Sequence, residues 1–257
     1  MLARVWPEDM PAPLWQRRAG AAPIASDDIV WEILGDAEMA PQHPVSAVIV
    51  LAGVLHGTPE ALHQNTTLAQ AGCKLAKQLG AKALVASSQA VYGRQSGVLA
   101  ETQTLTPATP YGQAKLDMEQ AVSGPDVTCL RIGNVAGSDG LFQAMTRGPV
   151  KIDQFPDGQG PRRMMIGPRD LGRVLSCLSQ TQTPLSKVLN IARPDLVAMD
   201  AMAQEAGATW QWQPAPDTAL PVLAMDVSAL AAHIALPPAT AADMVAQARA
   251  GGWCAAT

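Results

Sequence analysis

Ser46-Ala-Val-Ile-Val-Leu-Ala-Gly53 is the strongest strand signal in the chain, because every residue between its two ends is apolar. An apolar run without polar alternation is typical of a central parallel strand that helices cover on both faces. A helical period follows from Pro59 to Leu79, and Gly80 is placed to end that helix in a left-handed turn. This succession predicts a strand–helix unit of a parallel sheet.

The same succession continues along the chain. Ala83-Leu-Val-Ala-Ser-Ser88 is the next apolar strand, a second helix is predicted over 110–122, and Val127-Thr-Cys-Leu-Arg-Ile132 is a further strand. Strands that alternate with helices indicate a parallel α/β sheet with right-handed crossovers. The other predicted elements are short strands at 14–16 and 29–34, a loop-rich stretch at 149–168, a helix at 170–179, a strand at 188–192, a helix at 199–205, an edge strand at 210–212 and a helix at 241–250.

The composition excludes several classes of function. The 257 residues carry a net charge of -4, which gives no electrostatic basis for binding nucleic acid or an anionic membrane. The four cysteines and four histidines are scattered, so neither a disulfide framework nor a metal site is predicted. Reduced thiols, the lack of a long apolar run and the lack of a signal-peptide pattern lead us to expect a cytoplasmic protein.

Side chains that can move a proton follow the 83–88 strand. Ser88 ends that strand, and Tyr111 and Lys115 lie four residues apart on one face of the following helix. An ammonium beside a phenol favours the phenolate and lowers the pKa of the tyrosine, and a serine hydroxyl can orient a substrate oxygen. Such a site could exchange a proton while a cofactor exchanges a hydride. Tyr-x-x-x-Lys alone is a weak motif, however, and an ordinary amphipathic helix with an exposed lysine is the simpler alternative.

Three segments place this pair in a wider pattern: Ala86-Ser-Ser-Gln-Ala-Val-Tyr-Gly93, Pro110-Tyr-Gly-Gln-Ala-Lys115 and Leu130-Arg-Ile-Gly-Asn-Val-Ala-Gly137. Together they resemble the extended short-chain dehydrogenase/reductase family, and more closely its NAD(P)-dependent epimerase/dehydratase branch. Segments at 48–53, 65–69, 165–171 and 188–191 agree in order and spacing, so the resemblance covers nearly the whole chain. It implies a Rossmann-like doubly wound parallel sheet, with a dinucleotide-binding core at 1–137 and a small substrate lobe at 138–257 that adds a late strand and helices to the same unit.

The resemblance also implies roles for the catalytic residues. Ser88 would orient the substrate hydroxyl, and Tyr111 would be the acid/base. Lys115 would lower the pKa of that tyrosine and hold the nicotinamide ribose, so Tyr111 and Lys115 also belong to the cofactor site.

Four further residues match family positions near the cofactor or the substrate. Ala52 and Gly53 would pass close to the cofactor, because small residues let the backbone approach it. Asn65 and Asn134 match positions near the cofactor and the substrate, respectively. The alternatives are that Asn65 only caps a helix and that Asn134 only holds a turn.

The chain departs from the dehydratase subgroup of that family beside Ser88. An Asp-Glu pair follows the equivalent serine in that subgroup, whereas Gln89 and Ala90 stand here. Without those carboxylates no obvious acid/base pair remains for the removal of water from a keto-sugar. This departure disfavours a dehydratase and leaves an epimerase or a simple reductase.

A second departure concerns the start of the fold. The family opens with a strand and a Gly-x-x-Gly-x-x-Gly turn that binds the cofactor's pyrophosphate, and the printed sequence contains no such turn. In the usual strand order this strand lies at the middle of the sheet, so we expect unpaired edges on either side of its place. We therefore expect the functional protein to carry roughly twenty more residues upstream, and the chain as written to bind a dinucleotide weakly.

Arg17 and Arg18 fall where the second strand of the family ends. A basic residue there favours the 2′-phosphate of NADP, so the pair slightly favours NADP over NAD. Solvated surface arginines are an equally good account of the pair.

These observations predict an NAD(P)-dependent enzyme, most simply an epimerase, that acts on a nucleotide-sugar-like hydroxy or keto substrate. One alternative is an NADP-dependent carbonyl reductase. Another is a catalytically inactive relative that binds a dinucleotide or a partner protein, which the missing glycine turn favours. The resemblance also implies a homodimer paired through the Tyr111 helix, although that helix has only a modest apolar face.

Overall fold

The computed structural model of the chain describes residues 1–25, 28–35 and 43–256. Its strands are β1 (Gln16–Arg17), β2 (Ile29–Val30), β3 (Ala47–Val50), β4 (Lys82–Ser88), β5 (Val98–Leu99), β6 (Val127–Ile132), β7 (Asn134–Val135), β8 (Val150–Gln154), β9 (Arg162–Arg163), β10 (Met165–Ile166), β11 (Val188–Ile191), β12 (Val197–Ala198), β13 (Trp210–Pro214) and β14 (Val222–Met225). Its helices are α1 (Pro59–Leu79), α2 (Pro110–Ala121), α3 (Gly140–Arg147), α4 (Pro168–Gln180), α5 (Met199–Glu205), α6 (Ser228–Ala231) and α7 (Ala241–Ala250), with 3₁₀ turns at Leu2–Arg4 and Gln89–Tyr92.

The largest parallel sheet has the strand order β11-β6-β4-β3. Its register pairs Ser88 at the end of β4 with Ile132 at the end of β6, so the carboxyl ends of these strands lie side by side. Gly133 alone separates Ile132 from β7. Parallel strands joined through helices confirm the predicted α/β class, and the aligned carboxyl ends create the edge where the candidate site lies.

Helices cover this sheet on both faces, which explains why its strands are apolar throughout. On one face, α1 and α2 bury Ala69, Ala76 and Met118 against Val85 of β4. On the other face, α4 buries an aliphatic row that packs against the opposite side of the same strands; it comprises Leu171, Val174, Leu175 and Leu178. Successive strand residues point to opposite faces, so a strand covered twice must be apolar at every position.

The limits of α1 follow from local chemistry. The Thr58 side chain accepts a hydrogen bond from the amide of Ala61, and Pro59 occupies the first turn, where its missing N–H costs nothing. Gly80 ends the helix with φ of 63°, a left-handed conformation that glycine adopts without strain. The predicted limits of this helix are confirmed.

β1 and β2 form a separate parallel pair. Within the described residues, β3 pairs only with β4 and is therefore an edge strand rather than the central strand that its composition predicted. A largely apolar cavity of about 670 Å³ lies between β1 and β3 and is lined by residues from both strands, including Gln16 and Val48. The facing sides of β1 and β3 are the two edges expected above to lack partners.

The second half of the chain contains more strand than predicted. The stretch 149–168 was expected to be loop-rich, but it contains β8, β9 and β10. β8 pairs with β13, the strand predicted around Trp210 and Trp212, and β9 pairs with β12 and β14. These strands are short, and Gly and Pro residues separate β8 from β9, so the local sequence gives little indication of a strand. The strands form because they pair with partners far along the chain. β11 from this half joins the main sheet beside β6, so the two halves share one sheet.

No helix in the described ranges combines the length and hydrophobicity that crossing a membrane requires. Those same ranges hold no group of three His, Cys, Asp or Glu side chains arranged to bind a metal ion.

Candidate active site

Ser88, Tyr111 and Lys115 come together at the carboxyl edge of the main sheet. Ser88 is the last residue of β4, and its side chain is close enough to the Tyr111 phenol to lower the pKa of that phenol. Lys115 lies one turn further along α2, with its ammonium 5.9 Å from the centre of the Tyr111 ring. The spacing of these residues in the sequence therefore corresponds to one site.

The start of α2 explains how Tyr111 reaches Ser88. The Thr109 hydroxyl accepts a hydrogen bond from the amide of Gly112 at 3.0 Å, which begins the helix one residue before Tyr111. A Cβ on Gly112 would lie 2.5 Å from the carbonyl oxygen of Ala90. Only glycine therefore lets this first turn pack against the Gln89–Tyr92 turn that follows Ser88.

Lys115 is a buried ammonium, with 5% of the residue exposed. Its Nζ donates a hydrogen bond to the carbonyl oxygen of Ala86 at 2.8 Å. Burial lowers the pKa of Lys115 to about 8, although the nearby Glu119 carboxylate acts in the opposite direction. At neutral pH this lysine is therefore mostly charged, but it loses its proton far more readily than an exposed lysine.

The pKa of Tyr111 is raised, mainly because its phenol is buried, and the nearby Ser88 side chain offsets part of the rise. The adjacent ammonium was expected to lower this pKa. Burial outweighs that effect here, because the Lys115 ammonium is directed to the carbonyl oxygen of Ala86 rather than to the phenol.

The loop after β3 lies beside Lys115 and carries Ala52 and Gly53, which are both exposed. A Cβ on Gly53 would lie 3.3 Å from Lys115 Nζ and 2.7 Å from Asn65 Oδ1. The backbone at Gly53 can approach the site so closely because the residue has no side chain.

Asn65 holds this loop in place. Its side chain accepts a hydrogen bond from the amide of Val54 at 3.1 Å and donates to the carbonyl oxygens of Val54 and Leu62 at 2.9 Å and 2.8 Å. Asn65 lies inside α1, whose N-cap is Thr58, so the alternative that Asn65 caps this helix is wrong.

Asn134 joins the site through Gln89. Asn134 Nδ2 donates to Asp139 Oδ2 at 3.1 Å, and Asn134 Oδ1 accepts a hydrogen bond from Gln89 Nε2. Because Gln89 follows Ser88 directly, these contacts connect Asn134 to the serine edge of the site. Asn134 lies in β7, paired with β10, so its place is a strand rather than a turn.

Arg17 and Arg18 lie in a different part of the molecule, at β1 beyond the cavity. Arg17 Nε is 2.8 Å from Asp28 Oδ2, and its Nη1 donates to the carbonyl oxygen of Ala21 at 3.0 Å. Arg18 is exposed. No hydrogen bond described in the structure brings either arginine to Tyr111 or Lys115.

A buried polar network beneath the site was not predicted from the sequence. Glu119 receives the Arg131 guanidinium, with Nη2 to Oε2 at 2.8 Å, and also a hydrogen bond from the Ser87 hydroxyl. Arg131 Nη1 donates to the Tyr92 hydroxyl at 3.0 Å, which in turn donates to Asn190 Oδ1 at 2.7 Å. An arginine inside the apolar 127–132 strand was the signal in the sequence, but its partner is set by tertiary contacts.

Comparison with known families identifies this arrangement. Residues 36–158 match the model of the NAD dependent epimerase/dehydratase family. This segment belongs to the NAD dependent epimerase/dehydratase family. It contains Ser88, Tyr111, Lys115 and Asn134, and the family resemblance of the sequence is thereby confirmed. A search of curated proteins found no match to the sequence.

Solved structures of epimerases and a dehydratase have a similar fold. MoeE5 in complex with UDP-glucose and NAD is 23% identical, with a TM-score of 0.67 over 88% of this chain and 85% of that one. The UDP-glucose-4-epimerase of Stenotrophomonas maltophila, with bound NAD and formylated UDP-arabinopyranose, is 20% identical, with a TM-score of 0.71 over 88% and 83%. TunA, an NAD dependent NDP-hexosamine 5,6-dehydratase, is 18% identical, with a TM-score of 0.69 over 90% and 85%. These similarities confirm the predicted Rossmann-like fold.

Proposed function

We propose that this epimerase/dehydratase-family chain is an NAD-dependent epimerase of a nucleotide sugar. The observation that carries the proposal is the convergence of Ser88, Tyr111 and Lys115 at the carboxyl edge of the main sheet. The solved structures of MoeE5 and of the Stenotrophomonas epimerase, both with NAD and a UDP-linked compound, support it by their similar fold.

Bound NAD would supply the acceptor and donor of hydride. Tyr111 would take the proton of the substrate hydroxyl while the carbon that bears this hydroxyl is oxidised. It would return the proton to the same oxygen after the sugar has rotated to present its opposite face. Ser88 would hold this oxygen in place. The Lys115 ammonium near the phenol would favour the phenolate as long as the pH is below about 8, the pKa at which Lys115 loses its charge.

The residues present fit one end of NAD better than the other. The small Gly53 beside Lys115, together with Asn65 and Tyr111, forms a close approach suited to the nicotinamide ribose, and Ala52 lies next to it. The sequence contains no Gly-x-x-Gly-x-x-Gly turn for the pyrophosphate. We therefore expect calorimetric titration of these 257 residues to show weak NADH binding.

We propose NAD rather than NADP as the cofactor. The positive charge of Arg17 is already paired with Asp28, which weakens its attraction for a 2′-phosphate. NADPH binding substantially tighter than NADH binding would reverse this assignment.

Epimerisation is favoured over dehydration because Gln89 and Ala90 offer no carboxylate beside Ser88. A carbonyl reductase would consume one NADH for each product molecule, whereas an epimerase recycles its cofactor. Absorbance at 340 nm during turnover therefore separates the two reactions.

Assembly as a homodimer through α2 stays a prediction, which sedimentation velocity can check.

Replacement of Tyr111 tests the assignment of the acid/base. The Tyr111→Phe variant should lower the conversion of UDP-glucose to UDP-galactose by about 100-fold or more, because the proton acceptor is removed. Gln113→Ala is the matched control, since Gln113 is an exposed residue of the same helix. Circular dichroism should show both variants folded. Unchanged turnover in a folded Tyr111→Phe protein would overturn the assignment.

A further inference from the structure

Three polar side chains form a chain of contacts that ends next to Ser88. Asp139 accepts a hydrogen bond from the amide of Phe142 at 3.0 Å and another from Asn134 Nδ2 at 3.1 Å. Asn134 Oδ1 in turn accepts a hydrogen bond from Gln89 Nε2. Gln89 Oε1, at the end of this chain, is buried and has no hydrogen-bond partner among the described residues.

The order of donors and acceptors follows from the chemistry of Asp139. A carboxylate only accepts hydrogen bonds, so Asn134 must direct its NH₂ group toward Asp139. The carbonyl oxygen of Asn134 then faces Gln89, which must in turn present its own NH₂ group. The remaining atom of the Gln89 amide, Oε1, is therefore held as an acceptor.

A buried acceptor without a partner is unfavourable in a folded protein and calls for an explanation. Gln89 directly follows Ser88, the hydroxyl at the Tyr111 site, and the turn it begins packs against the first turn of α2. A ligand that occupies this site is thus next to the residue that carries the unpaired oxygen.

We propose that Gln89 Oε1 accepts a hydrogen bond from one hydroxyl group of the sugar. Asp139 is then a positioning residue, because through Asn134 it fixes which atom of the Gln89 amide is left as the acceptor. The inference rests on the proposed action on a nucleotide sugar. It makes Gln89 a specificity-determining residue, because a keto or carboxylate oxygen at the same place would be repelled, whereas a hydroxyl would be bound.

The test uses UDP-glucose and its 2-, 3-, 4- and 6-deoxy analogues, titrated calorimetrically into the 257-residue chain with NADH in excess. We expect one deoxy analogue to bind at least about tenfold more weakly than UDP-glucose. Gln89→Met keeps the length of the side chain but has no acceptor. This variant should bind UDP-glucose and that deoxy analogue equally. Gln113→Met is the control for a glutamine outside the site and should keep the full discrimination. Should Gln89→Met not fold, Gln89→Leu takes its place.

Asp139→Asn tests the positioning role separately. Asparagine still caps α3, but it can present either an oxygen or an NH₂ group to Asn134, so the polarity of the amide chain is no longer set. The ratio of the affinity for UDP-glucose to the affinity for the deoxy analogue should fall in this variant, while the affinity for UDP alone stays unchanged. Retained discrimination in a folded Asp139→Asn protein would overturn the role of Asp139.

The remaining outcomes separate this inference from the proposed function. If UDP-glucose binds and no analogue is discriminated through Gln89, the inference is wrong and the proposed function stands. If neither UDP nor UDP-glucose binds, the proposed function fails, and the inference fails with it.

Discussion

The buried Glu119–Arg131 pair is expected to be the most sensitive polar contact beneath the site. Their side chains are 6% and 4% exposed, and the Arg131 guanidinium contacts the carboxylate through Nε at 3.1 Å and Nη2 at 2.8 Å. Glu119→Gln removes the negative charge and leaves a buried guanidinium without its counter-ion. Breaking a buried pair in this way costs about 3–5 kcal/mol of unfolding free energy.

This cost is large enough to measure by thermal denaturation. For a chain of this length, about 3–5 kcal/mol corresponds to a melting temperature lower by roughly 6–20 °C. Asp117→Asn is the matched control, because Asp117 is an exposed acid of the same helix whose loss should shift the midpoint by no more than about 2 °C. The double variant Glu119→Leu/Arg131→Met removes both charges and should recover much of the loss, since a buried pair replaced by apolar side chains is often neutral.

If the melting temperature of Glu119→Gln is lowered no more than that of Asp117→Asn, the pair does not stabilise the buried edge of the sheet. If the double variant is no more stable than Glu119→Gln, the loss does not come from an uncompensated charge on Arg131.

Two further predictions concern the site itself. The folded-state pKa of Lys115 is lowered to about 8, so below that pH the lysine disfavours folding, and wild-type stability should rise as the pH increases from about 8 to 10.5. Lys115→Met should therefore be more stable than wild type at pH 7 by up to about 3 kcal/mol in urea denaturation, with the difference shrinking across that pH range, and a difference that does not vary with pH would refute the argument. Gly53→Ala would place a Cβ 2.7 Å from Asn65 Oδ1 and 3.3 Å from Lys115 Nζ, and should lower stability by about 1–3 kcal/mol and weaken NADH binding. Gly140→Ala, where a Cβ would meet no atom within 4 Å, is the control and should leave both properties unchanged, so equal effects in the two variants would refute a steric role for Gly53.

Much of the sheet could be predicted because its signals are local. The apolar run before Ser88, the threonine and proline at the start of α1 and of α2, and Gly80 at the end of α1 all act within one or two turns of the chain. The four-residue spacing of Tyr111 and Lys115 belongs to the same class, since it places both side chains on one helix face whatever the rest of the fold does.

The predictions failed where an element depends on a distant partner. β8 was taken for loop because its pairing is with β13, about sixty residues later, and an isolated short strand has little signal of its own. The apolar composition of β3 predicted a central strand, because composition reports burial on the two faces and not the hydrogen bonds on the two edges. The unpaired edge of β3 was expected instead from the strand that the family places beside it.

The sequence by itself determined the α/β class and the limits of its main helices, and it singled out Ser88, Tyr111 and Lys115 as the residues of the proposed site. Only the tertiary structure decided the electrostatics of that site: the buried Lys115 with its lowered pKa, the raised pKa of Tyr111 and the Asp139–Asn134–Gln89 chain of contacts. The reason is physical. Helix limits and side-chain spacing depend on neighbours in the chain, whereas desolvation and hydrogen-bond polarity depend on neighbours in space.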